Sequence, residues 1–231
     1  MKILLYWIRS ILFPGRCMLC RRLLVNQEAG MCHNCRITVP EYPFGARKPD
    51  PVGKNDRHFL DSFTAVWYYE GDVRRSILRY KFRRAVHLAP KFGALLAMKL
   101  LEQGPEQFDV LTWVPVSTLR RLHRGYDQCE LLAKAVGKEL GVPQRKALRK
   151  IRNNPPQSGL TSVSARKANV LGAYKAVNNL DLQGKRVLLL DDIFTTGATM
   201  NECARVLLTA GAKEVHGAAV AVVRHQKKPS R

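Results

Sequence analysis

The chain has 231 residues, 46% of them apolar, enough to bury one sizeable core and to carry a small appendage. Lys and Arg number 39 against 18 Asp and Glu, so the formal charge is 39 − 18 = +21. An excess of this size points to a polyanionic partner, whether nucleic acid, an anionic membrane surface or a phosphate-rich ligand; a generally basic, solvated surface is the plain alternative.

Taken in chain order, the first feature is the apolar stretch from Ile3 to Phe13, interrupted by Arg9 and closed by Pro14 and Gly15. Eleven residues are too few to span a bilayer, and no small-residue cleavage site follows, so the stretch reads as an amphipathic helix. Such a helix can make peripheral membrane contact. The expected location is the cytoplasm, where a disulfide framework is disfavoured.

Cys17, Cys20, Cys32 and Cys35 follow as two Cys-x2-Cys pairs separated by eleven residues. Each pair presents two thiolates from one turn, and four thiolates complete a closed tetrahedral Zn²⁺ site of the structural kind. About 40 residues with few large apolar side chains cannot fold by burial alone, so the metal would supply the folding free energy. The expected division is therefore a zinc module over 1–40, a Pro-, Gly- and charge-rich linker over 41–61, and one domain over 62–231.

From residue 62 short apolar runs alternate with helical patterns. TAVWYY (Thr64 to Tyr69) predicts a strand. Val73, Ile77 and Leu78, then Leu88, Phe92, Leu95 and Leu96, predict two amphipathic helices. Val110 to Val114 is a strand; Asp127 to Leu140 is a helix with an Asp127 cap, Glu130 in the capping-box position and a Gly141 stop. Val187 to Leu190 and Val215 to Val223 are apolar strands flanking a helix from Thr199 to Ala210, ended by Gly211. Strand, helix and strand in this succession imply a parallel sheet covered on both faces. Cys129 and Cys203 fall in predicted helices, where a buried, unreactive thiol is the default.

VLLLDDIFTTGAT, from Val187 to Thr199, carries the most chemistry. A strand ends in Asp191 and Asp192, a loop offers Thr195, Thr196 and Gly197 and continues through Ala198, and a helix begins near Thr199. Ligands of open parallel sheets bind beyond the carboxyl ends of strands. Hydroxyls, consecutive N–H groups and a helix N-terminus suit a phosphate; paired carboxylates suit a vicinal diol or a divalent cation. Phosphate beside diol means a sugar phosphate. No GxxxxGK[ST] or GxGxxG string occurs, which argues against a P-loop or a dinucleotide site. Earlier, WVPVSTLRRLHRGYDQ places Arg120, Arg121 and Arg124 in a predicted loop after a strand, where guanidinium groups suit a pyrophosphate.

These residues resemble the phosphoribosyl pyrophosphate motif of type I phosphoribosyltransferases. With the four-cysteine segment after LFPGRC, with RLHRGYDQ and with QSGLTSVSARKANVLGAY, the whole chain resembles the ComF family. The resemblance implies a type I phosphoribosyltransferase-like α/β fold in which Asp191 and Asp192 contact the ribose hydroxyls and the Thr195 to Thr199 loop cradles the 5-phosphate. It also implies Mg²⁺ bound with phosphoribosyl pyrophosphate and a role in natural competence through internalised single-stranded DNA and the DNA-uptake machinery. Arg166 lies in a Pro-, Gly-, Ser- and Asn-rich segment whose composition suits a mobile lid, and with Asp191 and Asp192 it is the expected catalytic set. Arg83 and Arg84 depart from the family pattern, since a glycine-containing turn usually follows the lysine–aromatic pair matched here by Lys81 and Phe82.

The residues themselves add that 144–180 hold eight Lys or Arg and no acid, and that 71–91 hold seven basic residues beside Tyr80 and Phe82. Basic grooves with interleaved rings hold single strands without sequence preference. Arg145, Lys146, Arg149, Lys150 and Tyr80 are accordingly the expected nucleic-acid residues. A transferase acting on an unidentified acceptor and a non-catalytic phosphoribosyl pyrophosphate sensor remain the other readings.

Overall fold

A computed structural model describes residues 15–24, 30–43, 58–102, 108–152, 169–178 and 180–224, and the structural statements below refer to these. The expected N-terminal helix and Arg166 lie outside the described residues. No described helix is long and apolar enough to cross a membrane.

Four parallel strands form the central sheet: β1 (Ser62–Tyr68), β2 (Val110–Trp113), β5 (Arg186–Phe194) and β6 (Glu214–Val222), in the order β1-β6-β5-β2. The two central strands are apolar on both sides because both faces are covered. One face is packed by α2 (Gly71–Phe82), α3 (Leu88–Leu101) and α5 (Gln128–Leu140). There Ile77, Phe92 and Leu132 meet Leu188 and Leu190 of β5. The other face is packed by α6 (Ala198–Thr209), whose Met200, Cys203 and Leu207 meet Val187 and Leu189. Alternate residues of one strand thus serve two cores, as the period of two requires.

Most of the local signals act as expected. The Asp127 carboxylate accepts the Cys129 and Glu130 N–H groups at 3.0 and 3.2 Å, capping α5. Glu130 does not close a capping box; it pairs with Lys134 at 3.0 Å and with Arg121 at 3.6 Å. Gly141 ends the helix at φ +67°, a conformation cheap only for glycine. At the crossing of α3 with α5, a Cβ on Gly93 would lie 2.4 Å from the Ala135 Cβ. Gly93→Ala gains about 1 kcal/mol of helix propensity but overpacks the crossing by about 1–3 kcal/mol. A net loss is expected, read as a lower urea midpoint; a higher midpoint would refute the close packing.

Three elements differ from the sequence expectation. A small antiparallel pair, β3 (Leu148–Lys150) with β4 (Tyr174–Ala176), packs Leu148 and Tyr174 against α6. The arginine segment after β2 is not a loop but a short helix, α4 (Thr118–Arg124), ended by Gly125 at φ +81°. The segment before β1 does not start as a free linker: Tyr42 N–H donates to Val66 O, Tyr68 N–H donates to Pro40 O, and Glu41 bridges Trp67 along the sheet edge.

The four-cysteine segment, with α1 (His33–Thr38), is docked rather than separate. Met18 and Leu19 are buried in the same core as Val73 and Ile77. Ser76 Oγ donates to Met18 O, and the Arg79 guanidinium donates to Met18 O at 2.7 Å and to Leu19 O at 2.9 Å.

Candidate phosphoribosyl site and metal centre

β5 runs past the acidic pair to Phe194, because Asp191, Ile193 and Phe194 continue in register with Ala219, Ala221 and Val222 of β6. The turn Thr195–Gly197 then enters α6 at Ala198. Gly197 is required twice over, by φ +74° and by the Phe194 ring, whose Cζ would lie 2.5 Å from a Cβ. The turn is therefore held against a ring beneath it.

Asp192 Oδ1 pairs with Lys81 Nζ at 2.8 Å, bringing the end of α2 to the end of β5. Burial alone would depress the Lys81 ammonium, but the Asp192 carboxylate holds it above the ordinary lysine value. Asp191 Oδ1 accepts the Asp192 N–H at 2.8 Å and faces the Cys129 thiol at 3.4 Å. Its carboxyl is pushed up to about 8, first by burial and then by the Asp192 charge, with Lys81 opposing. Two buried polar atoms at this strand end, Asp192 Oδ2 and Thr196 Oγ1, have no hydrogen-bond partner among the described residues. An acceptor and a hydroxyl left in this state carry a desolvation penalty unless a ligand satisfies them.

Asp191, Asp192 and Cys129 place one ligand atom each within 4.8 Å of one another. The carboxylates suit a hard cation such as Mg²⁺. The Cys129 thiol does not, since burial pushes it well above its ordinary range, as burial does to Cys203.

The basic residues divide. Lys150 is turned inward over the Tyr174 ring, its Nζ 5.4 Å from the centroid. Burial, and then the Arg120 charge, depress its ammonium, while Cys203 and Asp191 oppose, so Arg120 and Asp191 both lie within electrostatic reach of Lys150. Arg124 donates to Gln128 Oε1 at 2.8 Å and lies over Phe82, 4.8 Å from the ring centroid. Arg121 pairs outward with Glu130.

Two expectations about nucleic acid need correction. Tyr80 is 0% exposed; its hydroxyl donates to Gln128 O, and its carbonyl accepts the Tyr126 hydroxyl. Its ring packs against Phe92 and cannot stack on a base. Val73, Ile77 and Tyr80 recur at i, i+4 and i+7, a stripe that marks the core face of α2. Second, Arg145, Lys146 and Arg149 are exposed but Lys150 is not on their face, because the pleat of β3 sends Arg149 and Lys150 to opposite sides.

The cysteine cluster fits its expected metal. All four Sγ atoms lie within 4.8 Å of one another, and no cysteine is disulfide-bonded. A tetrahedron with metal–sulfur bonds of about 2.3 Å has edges of about 3.8 Å; Cys20 Sγ stands 3.7 Å from Cys32 Sγ. Backbone N–H groups of Cys32 and Cys35 point at the sulfurs of Cys17 and Cys32, at 3.4 and 3.5 Å. Burial would raise the Cys32 thiol, yet the Cys35 N–H and the neighbouring sulfurs draw it down to about 7.

The parallel sheet, the acid pair at the end of β5 and the turn into α6 define a protein of the type I phosphoribosyltransferase fold, and residues 127–231 match the family model described as "Phosphoribosyl transferase domain". Similarity then extends over most of the chain. "Competence protein F" of Haemophilus influenzae is 25% identical over 88% of this chain and 95% of that protein. "DNA utilization protein YhgH" of Salmonella typhimurium is 28% identical over 87% of this chain and 94% of that protein. The glutamine phosphoribosylpyrophosphate amidotransferase structure from B. subtilis is 24% identical, with TM-score 0.42, over 61% of this chain and 30% of that chain. Over most of its length the chain is therefore similar to proteins named for competence and DNA utilisation, and its residues 127–231 match a phosphoribosyltransferase domain.

Proposed function

We propose that the chain binds phosphoribosyl pyrophosphate with Mg²⁺ at the end of β5 and acts in natural competence or DNA utilisation by handling single-stranded DNA. The observation that carries the ligand half is the pair of unsatisfied buried atoms, Asp192 Oδ2 and Thr196 Oγ1. One accepts and the other can donate, the first before and the second within a turn that leads into a helix N-terminus. A ribose diol followed by its 5-phosphate presents the complementary groups in that order. Arg120 and Lys150 bring positive charge to the same strand end, where pyrophosphate would lie. The DNA half rests on the names of the relatives and on the exposed Arg145, Lys146 and Arg149, with Phe82, 62% exposed and covered by Arg124 on one face, offering its other face for stacking.

Titration calorimetry with phosphoribosyl pyrophosphate and Mg²⁺ tests the reading. Saturable binding is expected in the unsubstituted chain, weakened about tenfold in Thr196→Val, which loses one charge-assisted hydrogen bond worth about 1.5 kcal/mol or more but keeps its shape. No saturable binding by the unsubstituted chain would remove the phosphoribosyl assignment.

A further inference from the structure

A second basic site lies on the opposite side of α2. Where the cysteine segment docks on α2 and the start of α3, a cavity of about 350 Å³ opens, and Arg16, Arg21, Arg79, Arg83, Arg84 and Lys91 line it. No carboxylate lines it among the described residues. Its size is that of a small-ligand pocket, large enough for a nucleotide-sized group. The charges come from three separate pieces of chain: the residues flanking the first Cys-x2-Cys pair, the last turn of α2 and the first turn of α3. Six cations held around one hollow repel one another unless an anion joins them.

The backbone carries an independent sign. Only two described non-glycine residues have positive φ, Arg21 at +69° and Arg84 at +50°. Both are arginines of this cavity. A residue with a Cβ is disfavoured in that region relative to glycine, and such strain concentrates at ligand-binding positions. Arg21 is set there by the cysteine turn, its N–H donating to Cys17 O at 3.0 Å. Arg84 follows the C-cap of α2 at Arg83, where glycine would be the ordinary solution. Arginine at this position gives up backbone ease and gains a guanidinium at the cavity.

We propose that this cavity is a phosphate-binding site, separate from the strand-end site and formed jointly by the cysteine module and the α2–α3 turn. Its ligand carries adjacent phosphate groups, supplied either by a single-strand backbone or by a free phosphoanhydride. Arg79, in the last turn of α2, and Arg83, at its C-cap, reach the cavity, while Lys81, about 200° round the helix from Arg79, reaches Asp192 on the other side. The two sites therefore share one rigid helical turn. This assignment does not depend on phosphoribosyl pyrophosphate being the ligand of β5.

The test uses the full chain and two probes. One is a fluorescein-labelled oligothymidylate of about 12 nucleotides, within the span of one single-strand site, followed by anisotropy; the other is inorganic tripolyphosphate, followed by calorimetry. The substituted chain carries Arg84→Gly with Lys91→Ser. Glycine suits φ +50°, so the thermal midpoint is expected to stay level or rise, and a weakened fold cannot account for lost binding. Affinity is expected to fall at least tenfold for one probe or both, with titration by phosphoribosyl pyrophosphate unchanged. A fall for the oligonucleotide alone assigns a strand backbone as the source; a fall for tripolyphosphate alone assigns a free phosphoanhydride. Unchanged affinity for both probes overturns the proposal, and so does an equal fall for phosphoribosyl pyrophosphate, which would show a general field rather than a site.

Discussion

Replacing Asp191 and Asp192 together by asparagine is expected to weaken binding of phosphoribosyl pyrophosphate about a hundredfold, whereas the single substitutions should move stability in opposite directions. A charge-assisted hydrogen bond at Asp192 of about 1.5–3 kcal/mol and a neutral one at Asp191 of about 1 kcal/mol account for the hundredfold. Asp191 is raised to about 8 by burial and by the Asp192 charge, against about 3.9 in an unfolded chain. A carboxyl raised in this way contributes stability that is complete below about pH 4 and is lost as pH rises through about 8. An asparagine in its place does not titrate. Asp191→Asn should therefore match the unsubstituted chain near pH 4, exceed it increasingly as pH rises towards about 8, and level off near pH 9 with an advantage of a few kcal/mol and a thermal midpoint raised by several degrees. Asp192→Asn leaves Lys81, 18% exposed, without its 2.8 Å partner, which should destabilise by about 3 kcal/mol near neutral pH. Calorimetric scans from pH 4 to 9 decide the stability half; parallel pH profiles for Asp191→Asn and the unsubstituted chain would refute the raised carboxyl. Unchanged ligand affinity in the folded double variant would refute the ribose-hydroxyl assignment.

The acid pair could be read in the sequence because its chemistry is local: two carboxylates, two hydroxyls and a glycine within seven residues of one strand end. Its partner could not. Lys81 meets Asp192 across the fold, and nothing within α2 distinguishes Lys81 from the arginines around it until the sheet is assembled. Tyr80 is a different case, since the Val73, Ile77, Tyr80 spacing already points to the core; charge density drew the ring into a nucleic-acid reading that its own helical period contradicts. β3 and β4 are three residues each, too short to show alternation, and their apolar contacts lie with α6 rather than along their own sequence. The arginine helix α4 has no buried residue, so it carries no apolar stripe by which a period of 3.6 could be recognised. β5 extends beyond its apolar run because pairing with β6 continues after the hydrophobic pattern has stopped.

The cysteine spacing was equally plain, but spacing does not tell whether a module stands apart, and docking changes what metal loss should do. Chelation of a structural Zn²⁺ site removes about 10–16 kcal/mol of binding free energy from a short segment, far more than the hydrogen bonds from Ser76 and Arg79 can replace. Those bonds reach only Met18 and Leu19 carbonyls. Without a metal, four sulfurs within 4.8 Å of one another have no reason to stay clustered once any ionises, and Cys32 is drawn down to about 7. Residues 15–24 and 30–43 should then lose their fold. The sheet should survive, because β5 and β6 are paired on both sides and packed by α3, α5 and α6 independently of the module. Undocking nevertheless uncovers Val73 and Ile77 on α2 and takes Arg16 and Arg21 away from the phosphate cavity. Hydrogen exchange before and after treatment with a chelator should show rapid exchange spreading over 15–24, 30–43 and the exposed side of α2, with β1, β2, β5 and β6 still protected. Phosphoribosyl pyrophosphate titration should be retained within a few-fold, while affinity for tripolyphosphate or the oligonucleotide falls by tenfold or more. Metal analysis of freshly purified protein gives the first decision: no zinc, with four freely reactive thiols in the segment, removes the metal centre. Global loss of exchange protection on chelation would show instead that the module and the sheet form one cooperative unit, and that the docking contacts contribute more than their few hydrogen bonds indicate.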